Sequence, residues 1–235
     1  MKKTKSFEFK QFRIDGGYSG MPVSTDGVLL GSWVNLTQEG NLLDIGTGTG
    51  LLSLMCAQRY PQWSIEAIDI DPHALDAAQI NFSQSAWAKR LKLHQGDVLN
   101  FPCDKLFSAI ICNPPYFNNG AKAQDHSRAT ARHTVTLDHQ ALLDKCWQLL
   151  AADGSAHFIL PITEGEQFIQ AALTCGWQLK RRCDVQPNQH KPVHRLLIEL
   201  SKQASTPEYQ SLLISDNDGY SADFIQLTKA FYLNM

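Results

Sequence analysis

Three glycines at alternate positions, Gly46, Gly48 and Gly50, stand between a short apolar run, Asn41 to Ile45, and a stretch of helical spacing from Leu51 to Arg59. Glycine adopts backbone conformations closed to other residues and lets neighbouring groups come close to the main chain, so this junction turns a strand directly into a helix. The strand–turn–helix unit then recurs. Ser64 to Asp69 reads as a second strand, and Asp71-Pro72 starts a helix that reaches about Ser85, with Asp as the cap and Pro in the first turn. Leu91 to His94 is a third strand. Leu106 to Cys112 is a fourth, and its nearly unbroken apolar run suits a strand covered on both faces. A helix over Asp138 to Leu150, a strand over Ser155 to Leu160 and a helix over Glu164 to Thr174 follow, and Gln178 to Val185 and Val193 to Leu200 form a closing strand pair. Strands alternating with helices predict an α/β, three-layer fold around a mostly parallel seven-stranded sheet, and the closing pair predicts one antiparallel strand.

With 235 residues and 43% hydrophobic content, the chain suits one such domain. We expect a single unit over 1–235: a basic N-terminal segment and short helix over 1–36, a core over 37–201 and a tail over 202–235 packed on that core. Thr25-Asp26-Gly27 reads as the cap of the short helix, which runs to about Val34. Apolar residues at helical spacing between Tyr220 and Leu233 point to docking of the tail. No apolar run approaches the length of a membrane span and the first residues are charged, so we expect a soluble, cytoplasmic protein without a membrane partner. Six scattered cysteines without a CxxC pair argue against a disulfide framework and a metal site.

Formal net charge is -2, which argues against a general polyanion binder. The charge is segregated, however. Segments 1–13 and 180–195 each carry +4 and segment 117–136 carries +2, which leaves the rest of the chain at -12. Local phosphate contacts on an acidic body suit that distribution, with Lys2, Lys3 and Lys5 as candidates.

In sheets of this kind, ligands bind beyond the C-terminal ends of the strands. Four features fall there: Asp44 with Gly46, Gly48 and Gly50; Asp69; Asp97; and Asn113-Pro114-Pro115-Tyr116. The tetrapeptide combines an amide side chain, a carbonyl fixed by two prolines and an aromatic face. An exocyclic amine on a nucleobase is a poor nucleophile because its lone pair is delocalised into the ring. If Asn113 and the Pro114 carbonyl each accept an amino hydrogen, the nitrogen is drawn towards tetrahedral geometry and its lone pair can attack a methyl carbon in line, displacing the group that carried it, with no strong base needed. Tyr116 can stack on the base, which must leave its own stack to enter.

Asp44-Ile45-Gly46-Thr47-Gly48-Thr49-Gly50 and Asn113 to Phe117, with Gly20 to Gly31, Ala131-Arg132-His133 and Leu227 to Leu233, resemble the Rossmann-like class I S-adenosylmethionine-dependent methyltransferases that carry Asn-Pro-Pro-Tyr. More narrowly, they resemble the bacterial enzymes that methylate adenine 37 of valine tRNA. That resemblance implies S-adenosylmethionine as cofactor, tRNA as partner, no metal and no obligate protein partner. Asp69, 21 residues after Gly48, would accept from the ribose hydroxyls, and Asp97 from the adenine amino group of the cofactor. Thr25 and Asp26 would lie near its methionine end, and Asn113 would face both cofactor and target. Pro115, Tyr116, Phe117, Arg132 and His133 would line the target pocket. Where the family places an acidic residue after that His, this chain has Thr134. Methylation of a protein glutamine, an rRNA base or a DNA base is the alternative use of the same motif.

Overall fold

The computed structural model describes residues 3–36, 39–102, 104–114, 138–217 and 219–235. Lys2, Pro115, Tyr116, Phe117, Arg132 and His133, all named above, lie outside the described residues. A two-stranded hairpin, β1 (Phe7–Glu8) and β2 (Arg13–Ile14), precedes α1 (Thr25–Trp33). The alternating unit follows as β3 (Gly40–Ile45), α2 (Leu51–Arg59), β4 (Trp63–Asp69), α3 (Pro72–Gln84), β5 (Leu91–Gln95) and β6 (Phe107–Cys112). It continues through α4 (His139–Leu149), β7 (Leu150–Pro161), α5 (Ile162–Thr174), β8 (Gln178–Asn188) and β9 (Arg195–Ser201). The tail adds β10 (Glu208–Asp216), β11 (Gly219–Tyr220) and α6 (Ala222–Thr228).

Among the described residues these strands form one sheet in the order β11-β10-β8-β9-β7-β6-β3-β4-β5. Seven of them, β3 to β9, are the expected sheet, and β9 is antiparallel to both β7 and β8. The expected count of seven is corrected to nine. The tail does not only dock: β10 extends the sheet parallel to β8, and β11 turns back antiparallel on β10. The expected cap of α1 is also corrected. Ser24 is the N-cap, its hydroxyl accepting from the Gly27 N–H at 3.2 Å, so Thr25 and Asp26 already belong to the helix.

Successive side chains of a strand point to opposite faces, and this sheet is apolar on both. Leu43, Ile110, Phe158 and Ile198 pack with Leu142, Leu143 and Phe168 of α4 and α5. Leu42, Ala109, Ile111, Ile159 and Leu197 pack on the other face with Leu29, Leu30, Leu52 and Phe224. A third cluster joins the ends of the chain to the core: Phe9, Phe12 and Ile14 of the hairpin region meet Phe231 beside Leu54 and Phe82. Each of the Leu, Ile and Phe side chains contributes roughly 1.5–3 kcal/mol by leaving water.

Candidate active site

Register decides what the strand ends can do together. In the parallel pairs Ile45 lies opposite Ile68 on one side and opposite Cys112 on the other. Gly46, Asp69 and Asn113 therefore leave three adjacent strands at one level. Asp69 in turn lies opposite Gln95, so Gly96 and Asp97 follow at the same edge.

The glycine turn is built around two carboxylates. Asp44 is fully buried, and its Oδ2 accepts from the Thr47 hydroxyl at 2.6 Å, the Ser53 hydroxyl at 2.7 Å and the Ser53 N–H at 3.1 Å. Its other oxygen, Oδ1, has no hydrogen-bond partner among the described residues. Burial pushes the Asp44 carboxyl up to about 6, against the three donors, which favour its charge. Asp69 straps the turn from the next strand: its Oδ2 accepts from the Gly48 N–H at 2.8 Å and its Oδ1 from the Asp71 N–H at 2.9 Å. Burial raises its carboxyl above the usual range, with both N–H donors working the other way.

The glycines are not equivalent. Gly46 and Gly50 both lie in the left-handed region, at φ 68° and 85°. A Cβ on Gly50 would stand 2.5 Å from the ring of Phe82, so packing beneath the turn reserves that position for glycine. A Cβ on Gly46 would meet nothing within 4 Å among the described residues. Open space beside Gly46 is where a ligand can approach the backbone.

Asp97 caps a 3-10 turn over Val98–Asn100, accepting from the Leu99 N–H at 2.9 Å and the Asn100 amide at 3.3 Å. It opens on a cleft of about 550 Å³ whose lining includes Glu66, His94, Phe101 and Lys105. Asp71 caps α3 through the His73 N–H. At the other side of the site Asp26 is paired with Arg195 at 2.9 Å, and Thr25 is exposed. Asn113 is half-buried and Pro114 buried at the tip of β6. Lys3 and Lys5 are exposed near the N-terminus. Among the described residues no group of His, Cys, Asp and Glu side chains could hold a metal ion, and no helix is long and apolar enough to cross a membrane.

Two further contributors are not singled out as site residues in the sequence. Asn81 of α3, 2% exposed, donates to the Thr49 carbonyl in the turn at 2.9 Å and exchanges two hydrogen bonds with the backbone of Asp15. Met21 lies over the turn, its methyl 3.3 Å from where a Gly48 Cβ would stand. Only the folded chain brings residues so distant in sequence together.

Residues 15–149 match the family described as the methyltransferase small domain. A tRNA1(Val) (adenine(37)-N6)-methyltransferase of Vibrio campbellii is 60% identical over 233 residues, 99% of this chain and 98% of its own length. Its namesake in Aliivibrio fischeri is 51% identical over 232 residues, 99% of each chain. Among solved structures, a predicted O-methyltransferase from Agrobacterium tumefaciens superposes with a TM-score of 0.67 at 16% identity, covering 88% of this chain and 96% of its own. The glycopeptide N-methyltransferase MtfA, complexed with S-adenosylmethionine, gives 0.53 at 14% identity, covering 72% and 83%. At those identities the likeness is one of fold.

Proposed function

This chain belongs to the methyltransferase small domain family and, over nearly its whole length, to the tRNA1(Val) (adenine(37)-N6)-methyltransferases, and on that premise we propose that it transfers the methyl group of S-adenosylmethionine to the N6 amino nitrogen of adenine 37 in valine tRNA. The observation that carries the reading is the common level of Gly46, Asp69 and Asn113 at the ends of β3, β4 and β6. A cofactor beside the glycine turn and an amine beside Asn113 then meet across one cleft.

The residues present fit the cofactor. Asp44 holds a buried oxygen without a partner, suited to the ammonium of an amino-acid moiety, and the open side of Gly46 leaves room against the backbone. Asp69 and Asp97 present carboxylates along the same edge for the nucleoside part, each keeping acceptor capacity beyond the N–H groups it already receives. When bound, the cofactor supplies an electrophilic sulfonium methyl. Asn113 and the Pro114 carbonyl would accept the two amino hydrogens of the adenine, orient its lone pair and stabilise the positive charge that develops on nitrogen; proton loss follows transfer. Pro115 and Tyr116 complete the motif, and Arg132 and His133 would act on the RNA side. Such a substrate places the enzyme in the cytoplasm.

The test is direct. Protein incubated with methyl-labelled cofactor and an unmodified valine tRNA transcript, followed by digestion to nucleosides, should yield labelled N6-methyladenosine, and none from a transcript with guanosine at position 37. Asn113→Ala should abolish turnover while lowering cofactor affinity only modestly, since the hydrogen bond that activates the reaction is the one to the target amine. Label on protein glutamine, or loss of cofactor binding in that variant, overturns the assignment.

A further inference from the structure

Resting on this reading, we infer that Gly16 to Met21 is a strap that couples RNA engagement at the N-terminus to closure over the cofactor turn, with Thr4 as the positioning residue that holds it. Thr4 grips the strap twice: its N–H donates to the Gly17 carbonyl at 2.8 Å, and its hydroxyl accepts from the Gly20 N–H at 2.9 Å. The two segments are in van der Waals contact there, for a Cβ on Gly16 would stand 2.8 Å from the Thr4 side chain. Asn81 fastens the root of the strap, through Asp15, to Thr49 in the glycine turn. At its far end Met21 lies against Gly48, whose N–H is held by Asp69.

Hydrogen bonds hold much of this segment. Tyr18 is 52% exposed and Met21 42%, and besides the bonds to Thr4 the buried Ser19 hydroxyl donates to the Gly16 carbonyl at 2.8 Å and accepts from the Met21 N–H at 3.2 Å. The residues on either side of Thr4 are Lys3 and Lys5, both exposed. Lys3 makes only a loose pair with Asp15, 3.7 Å apart with the lysine 62% exposed, and that same Asp15 accepts from the Gly17 N–H at 3.0 Å. A phosphate that takes Lys3 and Lys5 fixes residues 3–5, and with them both bonds from Thr4 to the strap. Ordering the strap is then no longer charged against cofactor binding, and the two ligands strengthen each other by the same factor.

The experiment measures S-adenosylhomocysteine binding by calorimetry with and without saturating unmodified valine tRNA, beside the methylation assay above. In the native protein tRNA should tighten that binding by at least about fivefold. Thr4→Val, which keeps the shape and removes the oxygen, should reduce the factor to below about twofold, and Thr4→Ser should restore it. The methyl resonance of Met21, assigned with Met21→Leu, should shift when tRNA alone is added to the native protein and to Thr4→Ser, but not to Thr4→Val. Failure of the native protein to methylate tRNA would remove the reading on which the strap rests. A native protein that methylates tRNA without coupling, or a Thr4→Val variant that keeps it, would remove the strap alone.

Discussion

At Asp44 the demands of the proposed site and of the fold oppose each other. With no access to water and one oxygen unpartnered, its carboxylate is less comfortable in the folded chain than in the unfolded one, and its carboxyl rises to about 6. Because the folded value lies above the unfolded one, its contribution to stability is complete below the ordinary Asp range and disappears as pH rises through about 6. Asp44→Asn cannot titrate. Measured by urea unfolding between pH 4 and 7, the stability of the variant relative to native should therefore improve with rising pH by roughly 2 kcal/mol. Affinity should move the other way. Native affinity for S-adenosylhomocysteine should strengthen as pH rises through 6 and the carboxylate becomes available to the ligand ammonium, while the variant binds weakly at every pH. Parallel pH profiles for the two proteins would show that Asp44 does not face the ligand.

At the scale of elements, the termini matter as much as the central sheet. The hairpin and the tail clasp each other beside α2: Lys10 donates to the Lys229 carbonyl at 2.7 Å, its own N–H donates to the Phe231 carbonyl at 2.8 Å, and Gln58 donates to the Ala230 carbonyl at 2.9 Å. Phe231 is 1% exposed in the cluster with Phe9, Phe12 and Phe82. Phe231→Ala should thus lower the unfolding free energy by about 3–5 kcal/mol with little change in denaturant dependence, a loss as large as any in the central sheet. A small loss would mean that the tail is dispensable. The buried strands β3 and β6 were legible in the sequence because a strand covered on both faces must be an apolar run, and α3 because Asp71 and Pro72 mark its start. β10 was not. Its stretch from Glu208 to Asp216 alternates partly exposed residues around a single buried Leu212, a pattern that only the free edge of β8 turns into a strand. The two-residue strands of the hairpin leave no periodic signal at all. In the candidate site, the placement of Gly46, Asp69 and Asn113 at adjacent strand ends could be read from the sequence, whereas the contacts of Thr4, Met21 and Asn81 join distant segments and could not.

Across the whole molecule, folding redistributes the basic charge that the sequence displays. Most of the +4 in segment 180–195 is already engaged: Lys180 and Arg181 pair with the buried Glu199, Arg182 with Glu166 and Asp184, and Arg195 with Asp26. Arg181 also stacks over the ring of Trp33 at 3.8 Å, so it belongs to the packing between α1 and the sheet. Besides the Lys180 side chain, which is exposed while paired with Glu199, what this segment offers to solvent is the turn between β8 and β9, where His190 and Lys191 are exposed. Since β8 runs parallel to the core strands, that turn lies at the same end of the sheet as the glycine turn. RNA affinity should therefore depend on a few cations at this end rather than on the formal charge of a segment. Removing one lysine–phosphate pairing should reduce the slope of log affinity against log salt by roughly 0.7–0.9. Lys5→Ala and Lys191→Ala should each lower the tRNA slope by about that amount, roughly additively because they lie on different segments. Arg182→Ala should leave the slope unchanged and instead destabilise the fold, because it strips the partner from Asp184 and Glu166. The reverse outcome, with the slope responding to Arg182 and indifferent to Lys5 and Lys191, would move the RNA to the flank of the sheet and away from the end where Gly46, Asp69 and Asn113 converge.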